Sequence, residues 1–381
     1  DAKEPKDVIV ISGNDGVGLG GILAKLDFFS AYPITPATEV AKYVATHLPK
    51  TGGTLIQAED EIASIAQVLG ASYAGARSMT ATSGPGVALM SEMIGMSTMS
   101  ETPCLIVDVQ RGGPSTGMPT KHEQSDLMIA IAGGHGDSPR VVMAVEDVKD
   151  CIDMTIEGLN MAEEYQVPVL LLTDGSLAFS TQTVPTPDPS KVKIVERKRW
   201  DGEGEYKRYE FTEDNISPMC DPGTPGGMHI ATGLEHNEKG APFMAPAHRQ
   251  KMQDKRFNKF KSILDNYPPA EIDGDADADA EIGIITWGST IGVVREAIER
   301  LNAEGIKAKA LYPKMLWPMP VDQYEAFAAK CDKILVPEVN YQGQLSHFIR
   351  AETSIQPIPY TICGGLPFTP AMIVEKVKEV L

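Results

Sequence analysis

The sequence predicts an α/β protein with a parallel main sheet, and three observations carry that expectation. From Phe28 to Thr173 short apolar runs alternate with stretches whose apolar residues recur at helical spacing. That alternation is the signature of parallel strands covered on both faces. One strand ends at Tyr32-Pro-Ile-Thr-Pro36, where two prolines three positions apart lead straight into a helical pattern. After a polar, proline-rich interruption the alternation restarts at Glu281. The expected organisation is a first domain over 1–180, an irregular connecting segment with a basic helix over 181–280, and a second α/β domain over 281–381.

In chain order, Val8–Ser12 read as a strand, followed by a glycine-rich stretch with a GxGxxG at Gly16, Gly18 and Gly21. A dinucleotide site needs an acidic residue about 20 positions on, at the end of a second strand. The nearest acid is Glu39, which lies beyond both prolines and inside the next helix, so the context argues against NAD. Pro33 and Pro36 fix φ and push their preceding residues out of the helical region. Thr35 is thereby set on a stiff turn at the carboxyl end of a strand, the edge where open α/β sheets bind ligands.

A helix from Thr38 to about Leu48 places Val40, Val44 and Leu48 on one face. A strand at Thr54–Gln57, a helix from Asp60, a strand at Arg77–Thr82 and a turn at Ser83-Gly-Pro-Gly86 follow. In the next helix, Val87 to about Ser100, Met90, Met93, Met96 and Met99 read as a core stripe. Strands are expected at Pro103–Val109, Arg140–Ala144 and Val167–Thr173, with helices at about Glu123–Ile131 and at Glu146–Glu164.

The rhythm breaks at Pro185, Pro187 and Pro189. A basic helix at about Ala247–Asn266 carries Lys255, Arg256 and Lys259, and the default account of such a run is a solvated or interdomain face. The alternating aspartates of 273–280 have Ala278 and Ile284 where a calcium loop needs glycine and glutamate, so they read as a linker. In the last domain, strands are expected at Lys307–Leu311, Lys333–Pro337 and Tyr360–Ile362. Helices are expected at Val293–Asn302, Asp322–Ala329, about Gln344–Glu352 and Pro370–Leu381, with a proline-rich stretch at Tyr312–Pro320.

Composition bounds the function. The 381 residues carry a net charge of −18, 42% hydrophobic and 23% charged residues. That acidity argues against nucleic acid and anionic membrane surfaces, and no apolar run reaches the ~18 residues of a spanning helix. The five cysteines are scattered without a CxxC pair, as in a reduced, cytoplasmic protein. The seven histidines lack metal-ligand spacing, and no metal site is expected. The chain opens at Asp1 rather than methionine, so an upstream fusion and a separate upstream chain both stay open.

Thr35, Glu61 in Gln57-Ala-Glu-Asp-Glu61, the Ser83–Gly86 turn and Arg111 in Gln110-Arg-Gly-Gly-Pro-Ser-Thr-Gly117 fall on successive strand ends, and their joint placement points to one site. These motifs, with Gly134-His-Gly-Asp137, Tyr312–Pro320 and Glu338-Val-Asn-Tyr-Gln-Gly-Gln-Leu345, resemble the alpha subunit of the 2-oxoacid:ferredoxin oxidoreductase family. The 2-oxoglutarate branch is the most similar, by the Arg-Gly-Gly-Pro-Ser-Thr-Gly run and Gly-His-Gly-Asp.

The resemblance implies a thiamine diphosphate pyrimidine-binding domain followed by a domain like the C-terminal one of transketolase. It implies that Glu61 is catalytic, holding the pyrimidine N1′, and that Pro33, Ile34, Ser83, Gly84, Pro85 and Gly86 line the cofactor. Thr35, Arg111, Tyr32 and Lys121 would contact substrate; for the far carboxylate of 2-oxoglutarate the candidates are Lys121, Tyr32 and His135, or a group on the partner subunit. The implied reaction is coenzyme A-dependent oxidative decarboxylation, with electrons passed singly to ferredoxin, or its reverse. The chain has neither the GDG…N signature for diphosphate and Mg2+ nor a cysteine set for a 4Fe–4S cluster. Those are expected on a beta subunit, with a gamma domain or subunit as a further partner. The second domain shows no carboxylate pair, triad or phosphate loop of its own.

Overall fold

The computed structural model describes residues 7–381. The first part of the chain runs β1 (Val8–Ser12), α1 (Gly13–Leu23), β2 (Phe28–Ala31), α2 (Thr38–His47), β3 (Thr54–Gln57), α3 (Glu61–Tyr73), β4 (Ser78–Thr82) and α4 (Gly84–Ser100). It continues with β5 (Cys104–Gln110), α5 (Leu127–Ala132), β6 (Val141–Ala144), α6 (Val148–Tyr165), β7 (Pro168–Asp174), α7 (Gly175–Phe179) and β8 (Thr181–Pro185). After a long irregular stretch come α8 (Pro246–Asn266), β9 (Glu271–Asp273), β10 (Ala280–Ile285), α9 (Thr290–Ala303), β11 (Ala308–Tyr312) and β12 (Met315–Trp317). The chain closes with α10 (Val321–Ala328), β13 (Cys331–Glu338), α11 (Gln344–Glu352), β14 (Ile358–Thr361) and α12 (Pro370–Val380).

The main sheet has seven strands in the order β12-β6-β7-β5-β4-β2-β3, all parallel except β12, which lies antiparallel on β6. Strand β2 pairs with β3 on one side and β4 on the other, so the winding reverses between β2 and β4. Such a reversal opens a crevice at the carboxyl ends of the two strands. The second sheet runs β14-β13-β10-β11-β9, with β9 antiparallel to β11. One apolar core joins α3 and α4 (Ile65, Met90, Ile94) to Ile285, Trp287 and Tyr324 of the second domain. The two sheets therefore share packing and do not hang on a linker.

Five expectations change. The glycine-rich stretch is helix α1, although glycine is a poor helix former. A Cβ on Gly20 would meet the Ile152 carbonyl at 2.5 Å and one on Gly16 the Val148 carbonyl at 3.1 Å. Close packing on α6 pays for the lost propensity, and no phosphate loop exists. Strand β1 pairs with β8 in a separate two-stranded ribbon and not with the main sheet. Helix α5 starts at Leu127 rather than Glu123, because residues 122–126 are used in contacts described below. The proline-rich stretch after Tyr312 contains β12, which stitches the second domain onto the first sheet.

The basic helix departs most. Lys255, Arg256 and Lys259 of α8 are buried, not solvated. Lys255 and Lys259 each place Nζ 2.6 Å from Glu101 Oε2, and Arg256 pairs with Glu235 at 2.9 Å. Glu101 caps α4 in the left-handed region (φ 49°). Burial alone would raise its pKa, but Lys255, Lys259 and Arg208 together hold it below the ordinary carboxylate range. Burial brings Lys255 down to about 7 against the pull of Glu101. Arg208 donates to the carbonyls of Ser100 and Glu101, and Arg197 pairs with Glu163, so buried charges strap the irregular segment to the amino-terminal edge of the main sheet.

Removing one member of a buried ionic group leaves the others uncompensated, at a cost of roughly 3–5 kcal/mol. Glu101→Ala is therefore expected to lower the denaturant midpoint by an amount corresponding to roughly 3–5 kcal/mol, measured by circular dichroism. A shift no larger than that of an exposed Glu296→Ala control would show that the cluster does not hold the segment.

Candidate active site at the carboxyl edge of the main sheet

Strand β2 ends at Ala31, and the chain turns through an exposed Tyr32, Pro33 and Thr35 with Ile34 half-buried. The Thr35–Pro36 peptide is cis. The turn is pinned from several sides. Asn14 of α1 donates to the Pro36 carbonyl at 2.7 Å, and Arg111, just beyond β5, donates to the Thr35 carbonyl at 2.8 Å. Ala37 N–H and the Thr38 hydroxyl both donate to the Ile34 carbonyl. The Thr35 hydroxyl is left to face solvent from a fixed backbone.

Strand β3 leads to α3. Asp60 is the N-cap, accepting from Ala63 N–H at 2.7 Å, and Glu61 is the first helical residue. Glu61 is 5% exposed, yet no described residue donates a hydrogen bond to its carboxylate. Opposite it, β4 ends in Thr82, Ser83 is the N-cap of α4, and Gly84, Pro85 and Gly86 form the first turn of that helix rather than a separate loop. A Cβ on Gly86 would fall 1.8 Å from Thr82 Oγ1 and 2.7 Å from Glu61 Cγ, so only glycine fits against that glutamate. The buried Ser83 hydroxyl has no hydrogen-bond partner.

Arg111 is 7% exposed. Apart from the bond to Thr35 it is unsatisfied: Nε has no partner, and no carboxylate of the described residues lies within 4.0 Å of the guanidinium. Carboxylates stand further out. Asp126 donates its N–H to the Gln110 side chain at 3.0 Å, and a Cβ on Gly84 would lie 2.6 Å from its Oδ2. Burial and the nearby Glu123 push the Asp126 carboxyl up to about 7, against the pull of Arg111. Asp108 of β5 is fully buried with both oxygens unpaired, and burial with Asp126 beside it holds it well above the usual range.

The far end of the Arg111 loop is fixed at the junction of the two domains. His122 Nδ1 lies 3.0 Å from Asp174 Oδ1, and Asp174 also caps α7. Burial opposes charge on His122, but Asp174 and Glu123 outweigh it and raise its pKa. Gln124 donates to the Trp287 carbonyl at 2.9 Å and accepts from the Thr290 hydroxyl at 2.8 Å, while its backbone N–H donates to the Val339 carbonyl. Glu338 and Asn340 of the Glu-Val-Asn-Tyr-Gln-Gly-Gln stretch cap α11: Glu338 accepts from Leu345 and Ser346 N–H, and Asn340 accepts from Gly343 N–H.

Of the residues singled out from sequence, Thr35 and Arg111 touch, and Glu61 packs on Gly86 beside Ser83. Lys121 sits exposed at the end of the Arg111 loop with its stem against Gly365, where an added Cβ would lie 2.6 Å from Lys121 Cβ. His135 is not part of the group. It lies 84% exposed, 3.4 Å from Glu92, eight residues into α4 and so about 12 Å along that helix from Gly84. Sequence reasoning overlooked Asn14, Gln124, Asp126 and the His122–Asp174 pair. Only for His122, Gln124 and Asp126, which follow the Arg111 run, was there a positional signal. Among the described residues, no three His, Cys, Asp or Glu side chains are placed to hold a metal ion.

Comparison with known proteins agrees with this architecture. Residues 20–254 match the family described as "Pyruvate flavodoxin/ferredoxin oxidoreductase, thiamine diP-bdg", and residues 280–370 match "Pyruvate:ferredoxin oxidoreductase core domain II". The 2-oxoglutarate synthase subunit KorA of Methanocaldococcus jannaschii is 40% identical over 336 residues, covering 88% of this chain and 89% of its own. Subunit alpha of 2-oxoacid:ferredoxin oxidoreductase 2 from Aeropyrum pernix is 38% identical over 98% of this chain and 61% of its own. A solved 2-oxoglutarate:ferredoxin oxidoreductase from Magnetococcus marinus, with 2-oxoglutarate, coenzyme A and succinyl-CoA bound, is 74% identical. It superposes with a TM-score of 0.97 over 100% of this chain and 66% of its own. This chain thus spans less than two thirds of the length of the latter two relatives. A split-gene transketolase, at 12% identity and a TM-score of 0.53, shares the fold alone. The chain belongs to the 2-oxoacid:ferredoxin oxidoreductase family, as one of its alpha subunits.

Proposed function

We propose that this chain supplies the pyrimidine-side half of the active site of a 2-oxoglutarate:ferredoxin oxidoreductase, which forms succinyl-CoA and carbon dioxide from 2-oxoglutarate and coenzyme A. The observation that carries the reading is Arg111. A buried guanidinium with no carboxylate within 4.0 Å among the described residues is expensive unless an anion completes it. Its planar fork suits a carboxylate, and it is held on the Thr35 turn, whose hydroxyl is free to meet the adjacent carbonyl oxygen. The 74% identity to an enzyme solved with 2-oxoglutarate bound favours that acid over shorter ones.

The residues present also fit the pyrimidine end of thiamine diphosphate. Gly86 leaves a cradle that any Cβ would fill, Ser83 has an unpaired buried hydroxyl, and Glu61 has a buried carboxylate awaiting a donor. When bound, that cofactor supplies a nucleophilic carbon for the 2-oxo group and a sink for the electrons left by departing carbon dioxide. Glu61 would share a proton with ring nitrogen N1′, a strong bond in a site that excludes water. Pro33, Ile34 and the Ser83–Gly86 turn would line the ring. Arg111 and Thr35 would orient the 1-carboxylate and carbonyl, and Tyr32 and Lys121, both exposed, would contact a second carboxylate.

Diphosphate, Mg2+ and a 4Fe–4S cluster belong, in this reading, to a beta subunit, with coenzyme A as co-substrate, ferredoxin as electron partner and a gamma domain as a further component. No described helix is long and apolar enough to cross a membrane, and the enzyme is proposed to work in the cytoplasm. The chain is proposed to divide into a pyrimidine-binding domain over 1–180, a connecting segment over 181–280 and a second domain over 281–381.

In the enzyme assembled with its beta subunit, Glu61→Ala is expected to lower kcat at least about 100-fold with an unchanged melting temperature; turnover near the native rate would remove the N1′ assignment. Arg111→Met should raise the KM for 2-oxoglutarate on the order of 100-fold while leaving the KM for coenzyme A in place. An unchanged KM for the oxoacid would mean that the anion at Arg111 is not the substrate. Gly86→Ala should abolish quenching of intrinsic fluorescence by added thiamine diphosphate, and retained quenching would place the pyrimidine elsewhere.

A further inference from the structure

Beneath the Arg111 guanidinium lies an unusual charge arrangement. Asp108 is on β5, with both carboxylate oxygens buried and unpaired, and Asp126 stands at the start of α5 with Oδ2 buried and unpaired. Glu123, from the same loop as Arg111, is buried and accepts from the Ser125 hydroxyl at 3.0 Å. Arg111 thus acts on Asp126 from beyond 4.0 Å, while Asp108 and Glu123 are neighbours of Asp126.

The same loop also carries His122, whose pKa Asp174 and Glu123 raise and whose ring is engaged with Asp174; the other elements near Asp126 bring no cation. The Ser83–Gly84 turn is neutral, and Glu61 lies across Gly86 as a further acid. Helix α11 contributes the neutral Gln344, which takes the Met128 N–H and donates to the Ser125 carbonyl. On β7, Asp174 is occupied with His122 and the start of α7. Two neighbouring acids, Asp108 with neither oxygen paired and Asp126 with Oδ2 unpaired, resist ionising together.

We propose that Asp126, backed by Asp108, is a positioning residue for substrate recognition: it is protonated while an anionic 2-oxoacid is held on Arg111, and ionised when Arg111 has no other anion to face. This rests on the reading of Arg111 as the anchor of the substrate carboxylate. With Asp126 neutral, the guanidinium presents a full positive charge to the incoming acid. With Asp126 ionised, that charge is partly cancelled and the substrate carboxylate is repelled. Binding at alkaline pH then takes up one proton from buffer, and binding at acidic pH takes up none. A carboxyl pushed up to about 7 places the change within the working range of the enzyme.

The test is the pH profile of kcat/KM for 2-oxoglutarate in the assembled enzyme between pH 6 and 9, since that parameter reports ionisations of the free enzyme. The native enzyme should lose about tenfold across one ionisation near neutrality, through KM, as expected for a unit charge several ångströms from the anion. Asp126→Asn, which fixes the neutral shape, should keep the low-pH value and flatten the profile, and Asp108→Asn should move the ionisation to lower pH. A flat native profile, or an ionisation that survives in Asp126→Asn, overturns the proposal. If Asp126→Asn does not assemble, Asp108→Asn decides: an ionisation that stays where the native one lies overturns the proposal. Arg111→Met separates the two readings: a native kcat/KM in that variant removes the substrate assignment itself, whereas a collapsed kcat/KM beside a flat native profile removes only the role of Asp126.

Discussion

The bond from Arg111 to the Thr35 carbonyl is the constraint on which this edge of the molecule depends. It ties the loop after β5 to the turn after β2, across the intervening β4, and so spans the crevice where the winding reverses. A guanidinium has five donors, and here a backbone oxygen takes one of them. Proline can fix φ within the turn, but it cannot choose where the turn points. Asn14 and Arg111, from opposite sides, make that choice by gripping consecutive carbonyls.

The second domain holds the loop from its other end. The backbone and side chain of Gln124 are bonded to its Trp287, Thr290 and Val339. The stretch 111–126 is thus fixed at the first sheet through Arg111 and at the second through Gln124, with His122 on Asp174 between them. A functional loop clamped at both ends costs little entropy to order when a ligand arrives. The caps made by Glu338 and Asn340 keep the end of β13 in place for that clamp, which gives a mechanical reason for a motif that looks chemical from its residue types alone.

Most of the architecture was legible because it rests on local pattern. Short apolar strands, helical periodicity and proline turns each declare themselves within ten or fifteen residues. What was not legible depends on contacts between distant residues. The glycines of α1 resemble a phosphate loop until α6 is seen lying against them, closer than any side chain would allow. The lysines of α8 resemble a solvated face because Glu101, more than 150 positions away, cannot be associated with them by pattern. At the site, residue types and strand-end positions singled out Thr35, Glu61 and Arg111, but the surrounding acids of Asp108 and Asp126 carry no motif.

Two buried charge clusters in this chain show how satisfaction separates structure from function. At the amino-terminal edge Glu101 meets Lys255 and Lys259 at hydrogen-bond distance, with Arg208 closing the group on backbone carbonyls. At the carboxyl edge Arg111 and Asp108 are buried and Asp126 is partly buried, and they remain largely unpaired. A buried guanidinium without a carboxylate is answered by an anion from outside, whereas unpaired buried carboxyls answer the same cost by keeping their protons. The first cluster closes the irregular segment onto the sheet. The second is open on the side of the Thr35 hydroxyl and the Glu61 carboxylate, and an anionic substrate with a weakly basic ring nitrogen beside it would complete all three.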